Sequence, residues 1–512
     1  MTATSSAVPG AAVPSPPGDG TRAERPSRGL RRLAVHPAVI VAVGAAAFLL
    51  RIGMDGTLNT DVFWHLASGQ WMLAHHRVLR HDVLTYTVFG RRWVNAEWGF
   101  DVLLAWGVRN VGGVTYWVLG GGAVAATLLV GFATWRRRGA SNLWAAVVAI
   151  VVFLPLSIGV AVRPQDLSYL LFAVELLLLA LARERRRWLW ALPPLLLVWA
   201  NLHGSFLAGV GLVGIEAVLA TVVSVVGRWR PDPGLGRVRV GPVLRARDAW
   251  ATLVGVVAAA SVNPHGPYLF LYDLRVTSAP QLASIEEWQP PDFHSATVMI
   301  TVAIPILVVL VALFASRSRI DAFDLVLWFG LLVFTLRAVR FDPYLGLAAG
   351  NLLAGVPALR RETIRPSLLA WPLAALLAVS VLALPHPPPG TPTTKGALAN
   401  PVQAVAWLGH RRGRVFSTYA WNDYLDHVGI PVFVDGRTDL YFGTGILTDY
   451  LDVSGLTVTP GKVLDRFDVR WVLWPAGQPL SVYLSHDPRW RLVRRFHLGL
   501  VFERRSPVRS PT

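Results

Sequence analysis

The side chains best suited to chemistry lie just beyond the first long apolar run of the chain. Asp61, Trp64 and His65 bring a carboxylate, an indole and an imidazole within little more than one helical turn. A carboxylate can accept the proton of an acceptor hydroxyl within hydrogen-bond reach, which would make Asp61 a general base. Other interpretations remain open. Asp61 can cap a helix starting at Val62, and His65 can handle protons, bind a metal or lie at a membrane interface.

The composition places these residues in a membrane protein. Hydrophobic residues make up 53% of the 512-residue chain and charged residues 15%, and the mean hydropathy is +0.46. Such a composition excludes a water-soluble globule. Cysteine is absent, which excludes disulfides, thiolate metal sites and cysteine nucleophiles. The net charge of +17 lies in arginine clusters between apolar runs, and it indicates membrane orientation and contact with anionic lipid rather than nucleic-acid binding.

The arginine clusters orient the predicted spans of a polytopic α-helical membrane protein. Residues 1–33 predict a disordered cytoplasmic tail, followed by a transmembrane part at 34–385 with a large first outer loop at 54–112. This orientation requires 98–109 to lie along the outer surface of the cell membrane. About eleven spans then place every arginine cluster inside and the C-terminal region outside. They are predicted at 35–52, 113–135, 142–160, 165–183, 188–202, 205–227, 249–263, 297–315, 322–338, 343–357 and 367–384.

The periodicity changes after a Pro- and Thr-rich linker at 386–394. Within 395–505, strands are predicted at 415–419, 431–435, 469–474, 490–496 and 500–503, and helices at 402–410, 421–428, 446–455 and 461–467. Strands alternating with helices predict a small extracytoplasmic α/β domain with a largely parallel sheet. Residues 506–512 predict a second disordered tail.

Polar residues accumulate at the predicted outer ends of the spans. Ionisable groups beside apolar spans are costly, so their repetition at one face predicts a shared polar cavity. Besides Asp61 and His65, the candidate binding residues are Asp82, Glu97, Arg163, Gln165, Asn201, His203, Glu286, Glu287, Arg337 and Arg340.

Three of these candidates are arginines on the side where the positive-inside rule disfavours them, namely Arg163, Arg337 and Arg340. A guanidinium kept there suits a phosphate or carboxylate ligand. The alternative is that each pairs with a protein carboxylate such as Asp166 or Asp342.

Glu286 and Glu287 lie in a long outer loop at 264–294. They could supply the second acid of a carboxylate pair or a metal ligand, or belong to a solvated loop. The histidines lack the close spacing of a zinc helix, and the sequence has no phosphate-binding loop for nucleotide hydrolysis and no nucleophile elbow.

Short stretches spread over almost the whole chain after residue 35 resemble the bacterial branch of the GT-C class of membrane glycosyltransferases. The similarity is strongest to relatives of the dolichyl-phosphate-mannose protein mannosyltransferases. The stretches include Asp61-Val-Phe-Trp-His65, Arg80-His-Asp82, Trp93-Val-Asn-Ala-Glu97-Trp98, Arg163-Pro-Gln165, Asn201-Leu-His-Gly204, Glu287-Trp288, Arg337 to Phe341, Trp421-Asn-Asp-Tyr424 and Val434-Asp-Gly-Arg437.

The resemblance implies an inverting transfer on the outer face. A carboxylate in the first outer loop, here Asp61, would activate the acceptor while the lipid phosphate of a polyprenyl-phosphate sugar leaves. The class often has two adjacent acids at this position, whereas this sequence has Thr60 before Asp61. Only some members use a divalent cation, so no metal ligand is assigned.

The sequence thus predicts a multi-pass membrane glycosyltransferase that transfers a hexosyl or pentosyl group to a glycan, lipid or protein acceptor of the cell envelope. Asp61 would be the base, the three outer arginines would bind the donor phosphate, and the other candidates would shape the sugar and acceptor cavity. The alternative is a transporter of lipid-linked sugars, or a non-catalytic assembly protein that retains the lipid pocket. A transporter would show inverted repeats and sites near mid-membrane, whereas these polar groups gather at one face.

Overall fold

The structure is a computed structural model that describes residues 2, 35–55, 60–226, 238–239, 244–316, 320–356, 364–388 and 399–505. The predicted tails at 1–33 (apart from residue 2) and 506–512, and most of the predicted linker, lie outside the described residues. So do parts of the arginine-rich loops at 228–247 and 360–365, and the whole cluster at 317–319.

Every predicted span coincides with a helix. Among the described residues, four helices are long and apolar enough to cross a membrane: Val114–Arg137, Pro164–Glu184, Phe206–Val225 and Ala296–Ala315. Shorter helices occupy the other predicted spans, at Ala38–Met54, Asn142–Ile158, Leu192–Ala200, Ala246–Ala260, Ala322–Arg337, Asp342–Ala354 and Ala370–Leu382. The number of segments that cross stays a prediction, because several of these helices fall short of the roughly 20 residues that span a bilayer.

The helix Asp342–Ala354 lies at the centre of the helical part, since all of its residues are buried. Small residues let its neighbours approach closely. A Cβ at Gly350 would lie 2.5 Å from the Trp135 ring, and one at Gly346 would lie 2.4 Å from Cγ of Pro155. Close approach through glycine is how membrane helices gain packing contacts.

The first outer loop contains two packed helices, which we label α1 (Asp61–His75) and α2 (Trp98–Asn110). They touch at Gly69, where a Cβ would lie 2.0 Å from the carbonyl oxygen of Asp101. Only a glycine permits this approach, and it fixes the two helices side by side.

The C-terminal part contains a four-stranded sheet formed by β1 (Arg414–Ser417), β2 (Val469–Trp474), β3 (Trp490–Arg495) and β4 (Leu500–Arg504), in the order β1-β2-β4-β3. Only β1 and β2 are parallel, because β4 pairs antiparallel with both β2 and β3. The prediction of a largely parallel sheet is therefore wrong.

The predicted strand at 431–435 is also wrong. Within this segment only Val432 forms a β-bridge, and its partner is Thr85. The helices are Val402–Leu408, Tyr419–His427, Ile446–Gly455, Pro460–Arg466 and Pro479–His486. The sequence predicts the first four of these helices and misses the last.

The first outer loop and the C-terminal part share their hydrophobic cores. Phe63 and Phe100 of the loop lie in one cluster with Leu425, and Trp64 and Trp93 lie in another with Phe433. Side-chain hydrogen bonds add to this packing; for example, Thr87 Oγ1 donates to the carbonyl oxygen of Phe433 at 2.6 Å. The C-terminal part is thereby fixed above α1.

Candidate active site

Asp61 is the first residue of α1, and the chain positions it against an arginine of the membrane part. Its Oδ2 lies 3.1 Å from Nε of Arg163. A carboxylate in the first turn also meets the positive end of the helix dipole. The residue at the cap position is Thr60, so Asp61 is not the N-cap.

Arg163 joins Asp61 to the outer loop that carries Glu287. Nη1 and Nη2 of Arg163 donate to the two carboxylate oxygens of Glu287 at 2.8 and 3.0 Å. Arg340 approaches the same carboxylate, with Nη1 3.2 Å from Oε1, and its guanidinium lies over the Trp288 ring at 4.1 Å. The fork geometry of arginine suits such two-point contact.

Gln165 lies between the two arginines. With its amide oxygen turned toward them, it accepts from Arg340 Nη2 at 3.0 Å and from Arg163 Nη2 at 3.3 Å. A cavity of about 340 Å³ opens beside these three residues and is lined in part by Glu287 and Tyr169.

The electrostatics of this cluster favour the ionised forms of Glu287 and Arg163. Burial opposes it, but the positive charges of Arg340 and Arg163 outweigh burial and lower the pKa of Glu287 to about 2. Burial likewise disfavours charged Arg163, while Asp61 and Glu287 raise its pKa. The alternative of pairing with protein carboxylates is therefore realised for Arg163 and Arg340, although the partners are Asp61 and Glu287 rather than Asp166 and Asp342.

A second cluster is formed by Glu97 and two histidines. Nε2 of His65 lies 3.7 Å from Oε2 of Glu97, and Nε2 of His203 lies 3.3 Å from Oε1. The other ring nitrogen of His65 lies 2.6 Å from Oδ1 of Asp101. The Ser205 backbone N–H donates to Nδ1 of His203 at 3.2 Å, which places the proton of this imidazole on Nε2, facing Glu97.

Burial controls protonation in the second cluster. It lowers the pKa of His65 to about 4 and holds that of His203 well below its usual value. Burial raises the pKa of Glu97 to about 7, with His65 opposing the shift. Both imidazoles are thus neutral at pH 7, and Glu97 can gain or lose a proton near neutral pH.

Four of the predicted binding residues lie outside these clusters. Asp82 is fully buried, and its Oδ1 accepts from Arg437 Nη2 at 2.6 Å. The Asn201 side-chain amide accepts a hydrogen bond from Nε1 of Trp98 and donates to the carbonyls of Leu197 and Val262. Neither side chain therefore lies with the two clusters, and a role of Asp82 or Asn201 in substrate binding stays a prediction.

The other two residues outside the clusters are exposed. Glu286 and Arg337 are both exposed to solvent, and neither lines the cavity beside Arg163. Their near neighbours in sequence differ from them: Glu287 and Arg340 do line this cavity.

Two residues near Asp61, Gly436 and Asp423, are not among the candidates that the sequence identifies. Gly436 lies so close that a Cβ would be 3.0 Å from Oδ1 of Asp61 and 2.7 Å from Nε1 of Trp64. The Gly436 N–H donates to Oδ1 of Asp423 at 2.7 Å. Burial and the charge of nearby Asp61 raise the pKa of Asp423 well above its usual range, so a second carboxyl group does lie beside Asp61, contributed by the C-terminal part. The resemblance included both segments, but their pairing across the chain leaves no local signal.

In the described part of the chain, no group of three or more His, Asp or Glu side chains is arranged to hold a metal ion. The cation beside Asp61 in the structure is the Arg163 guanidinium, and a divalent cation stays a prediction.

The sequence matches no protein-family model and no curated protein. Solved structures do match. The oligosaccharyltransferase of Archaeoglobus fulgidus, tethered with an acceptor peptide, aligns with a TM-score of 0.53 and 10% identity over 85% of this chain and 68% of that one. AglB from the same organism, in complex with an inhibitory peptide and a dolichol-phosphate, aligns with a TM-score of 0.52 and 10% identity over 86% of this chain and 69% of that one. ArnT from Cupriavidus metallidurans bound to undecaprenyl phosphate aligns with a TM-score of 0.48 and 14% identity over 93% of this chain and 99% of that one.

These matches define the fold. The chain is a helical membrane protein with the fold of these oligosaccharyltransferase structures, which is the kind of fold that the GT-C resemblance in the sequence implies.

Proposed function

We propose that this protein is a membrane glycosyltransferase that moves a hexosyl or pentosyl group from a polyprenyl-phosphate donor to an acceptor of the cell envelope, on the outer face of the cell membrane. The observation that carries the proposal is the Arg163–Asp61 ion pair at 3.1 Å. In this pair, a candidate base lies next to a guanidinium that suits a phosphate and lines the 340 Å³ cavity.

The donor phosphate would bind at Arg163, Arg340 and Gln165, in the 340 Å³ cavity. In the transfer, the acceptor oxygen forms a bond to the anomeric carbon while the bond from that carbon to the phosphate oxygen breaks. The bonding electrons leave with the lipid phosphate, whose negative charge grows. Two fixed guanidinium groups stabilise this charge more than that of the bound donor, and they thereby lower the barrier.

Glu287 would hold the two arginines in place before the donor arrives. It lies in a short turn, Glu286–Trp288, and its carboxylate contacts the guanidinium groups that the phosphate needs. Donor binding would replace at least the contact with Arg340. The dolichol-phosphate in the AglB complex is a ligand of the class proposed here.

Asp61 would accept the acceptor proton as the attack proceeds. Glu97, held between His65 and His203, would hydrogen-bond the acceptor hydroxyl or the sugar. The C-terminal part, which packs against α1 through Trp64 and Phe433, would close the site on the acceptor side and help to recognise the acceptor.

The test is transfer of labelled sugar from polyprenyl-phosphate donors to cell-envelope acceptors by the purified protein, comparing Asp61→Asn with the wild type. Loss of turnover with retained donor binding is expected. Glu286→Gln is the matched control, since this exposed carboxylate lies outside the site. Full turnover by Asp61→Asn removes Asp61 from the mechanism. Donor binding by a wild type that transfers no sugar would instead support the lipid-linked-sugar transporter or assembly protein.

A further inference from the structure

A second and larger cavity, of about 760 Å³, lies apart from the one beside Arg163. It opens between the first outer loop, the helix Tyr268–Thr277 and the turn Thr438–Tyr441. The lining includes Arg80, Arg91, Arg92, Arg275, Trp93, Tyr268, Tyr272, His265, Asp439 and Phe442. None of the sequence-predicted site residues lines it.

The cavity is strongly basic. In the part of the chain that the structure describes, no carboxylate pairs with any of its four arginines. Arg80 and Arg91 donate instead to backbone carbonyls, of Pro264 at 3.2 Å and Phe442 at 3.0 Å. These two contacts tether one guanidinium group to the segment at Pro264 and the other to the segment at Phe442. All four arginines are exposed and line the cavity, so their positive charge is accessible to a molecule that enters it.

The carboxyl group in the lining does not cancel this charge. Asp439 accepts hydrogen bonds from Nε1 of Trp93, at 2.9 Å, and from the hydroxyl of Tyr272. Burial raises the pKa of Asp439 above its usual value, and one carboxyl group cannot balance four arginines. The cavity therefore attracts anions.

Aromatic rings complete the cavity. Tyr268 is 44% exposed, and its ring centroid lies 6.3 Å from that of Tyr272. A ring with one apolar face and a polar tip suits the face of a sugar. Guanidinium groups together with accessible aromatic faces thus favour a charged sugar over a bare anion.

The cavity wall is continuous with the site at Glu97. Nε2 of His265, in the lining, lies 3.3 Å from the carbonyl oxygen of Asn95. The Asn95 side chain accepts from the backbone N–H of Glu97 at 3.0 Å. A molecule bound in the cavity therefore lies against the chain segment that positions Glu97.

We propose that this cavity binds an acceptor glycan through anionic groups, either phosphate or carboxylate. The acceptor role rests on the proposed function. Binding itself does not, because it requires only the arginines and the aromatic lining.

The test measures binding to the purified full-length protein in a nonionic detergent, without donor. The probes are trigalacturonic acid, a glycerol-phosphate trimer and neutral maltotriose. The test variant is Arg92→Gln with Arg275→Gln. The matched control is Arg494→Gln with Arg495→Gln, which removes the same charge from the exposed edge strand β3. Added dihexanoyl-phosphatidylglycerol distinguishes a glycan from a lipid headgroup as the source of the anionic group.

At least one anionic probe should bind about tenfold or more tightly than maltotriose, and the test variant should lose about tenfold in affinity. The control should bind as the wild type does. Retained thermal stability, and rescue by Arg92→Lys with Arg275→Lys, would separate lost contacts from misfolding. Equal loss in both double variants, equal binding of maltotriose, or displacement by the lipid overturns the inference. Sugar transfer by a wild type that binds neither anion overturns this inference alone and leaves the proposed function intact.

Discussion

The Nε atom of Arg163 lies 3.1 Å from Oδ2 of Asp61, so the candidate base and a candidate phosphate ligand form an ion pair. A donor phosphate bound at Arg163 would therefore lie beside the acceptor oxygen that Asp61 would activate.

Arg340 and Arg337 offer a matched comparison, because Arg340 lines the cavity beside Arg163 and Arg337 does not. Arg340→Gln should weaken donor binding about tenfold or more, because it removes a charged donor that contacts Glu287 and Gln165. Arg337→Gln should bind donor as the wild type does, since its side chain is exposed and lies outside the cavity. Binding is measured with a fluorescent polyprenyl phosphate. If the two variants lose the same donor affinity, the arginines act only through the overall positive charge of the outer face and not through contact with the donor.

Glu287 tests whether a protein carboxylate competes with the donor. Glu287→Gln should bind polyprenyl phosphate several-fold more tightly, because two guanidinium groups lose an anionic partner whose pKa is about 2. Thermal stability without lipid should fall for the same reason. Glu286→Gln should change neither quantity. Weaker lipid binding by Glu287→Gln would show that Glu287 contacts the donor instead of competing with it.

Glu97 should govern the pH dependence of transfer. Its pKa is about 7, raised by burial, so it loses its proton as the pH rises through 7. If the ionised form holds the acceptor, kcat/KM rises with pH and is half-maximal near pH 7. Glu97→Gln should lower the rate and remove this rise, while Glu286→Gln keeps it. A rate that falls through the same pH range would assign the protonated form of Glu97 to the reaction.

The sequence could predict the helical layout because apolar runs and arginine clusters are local signals. It could also have excluded the parallel sheet. Only a few residues separate the predicted strands at 490–496 and 500–503, and so short a connection permits antiparallel pairing alone. The N–H of Phe496 in fact donates to the carbonyl of Gly499 at 2.8 Å.

The site was predictable only in part. Arg163, Glu287 and Arg340 were found because they are polar residues at span ends. The distinction between Arg337 and Arg340 was not predictable, since the helix ends at Arg337 and the chain turns before Arg340. The role of Asp82 depends on Arg437, which is 355 residues away in sequence, and no single sequence reveals such a pairing.

Arg437 should hold the first outer loop to the C-terminal part. It is fully buried, and it donates to Asp82 at 2.6 Å and, through Nε, to Asp435 at 3.0 Å. Arg437→Met leaves two buried carboxylates without their partner, and we expect a loss of about 3–5 kcal/mol in the free energy of unfolding. Arg412→Met, at an exposed arginine, should change it by less than about 0.5 kcal/mol. Denaturant unfolding followed by tryptophan fluorescence measures both. Equal stability of the two variants would contradict this role.

Gly436 offers the most direct test of how the C-terminal part contributes to the site. A Cβ there would lie 2.7 Å from Nε1 of Trp64 and 3.0 Å from Oδ1 of Asp61. Trp64 belongs to the packed core and cannot readily move, so Gly436→Ala should displace the Asp61 carboxylate. A shift of about 1 Å at a reacting group can cost about a hundredfold in rate. We therefore expect kcat to fall while donor binding, which depends on Arg163 and Arg340, is retained. Gly330→Ala is the matched control, since a Cβ at Gly330 meets no atom within 4 Å. If Gly436→Ala keeps full turnover, Asp61 either tolerates the displacement or takes no part in proton transfer, and the combination with Asp61→Asn distinguishes the two.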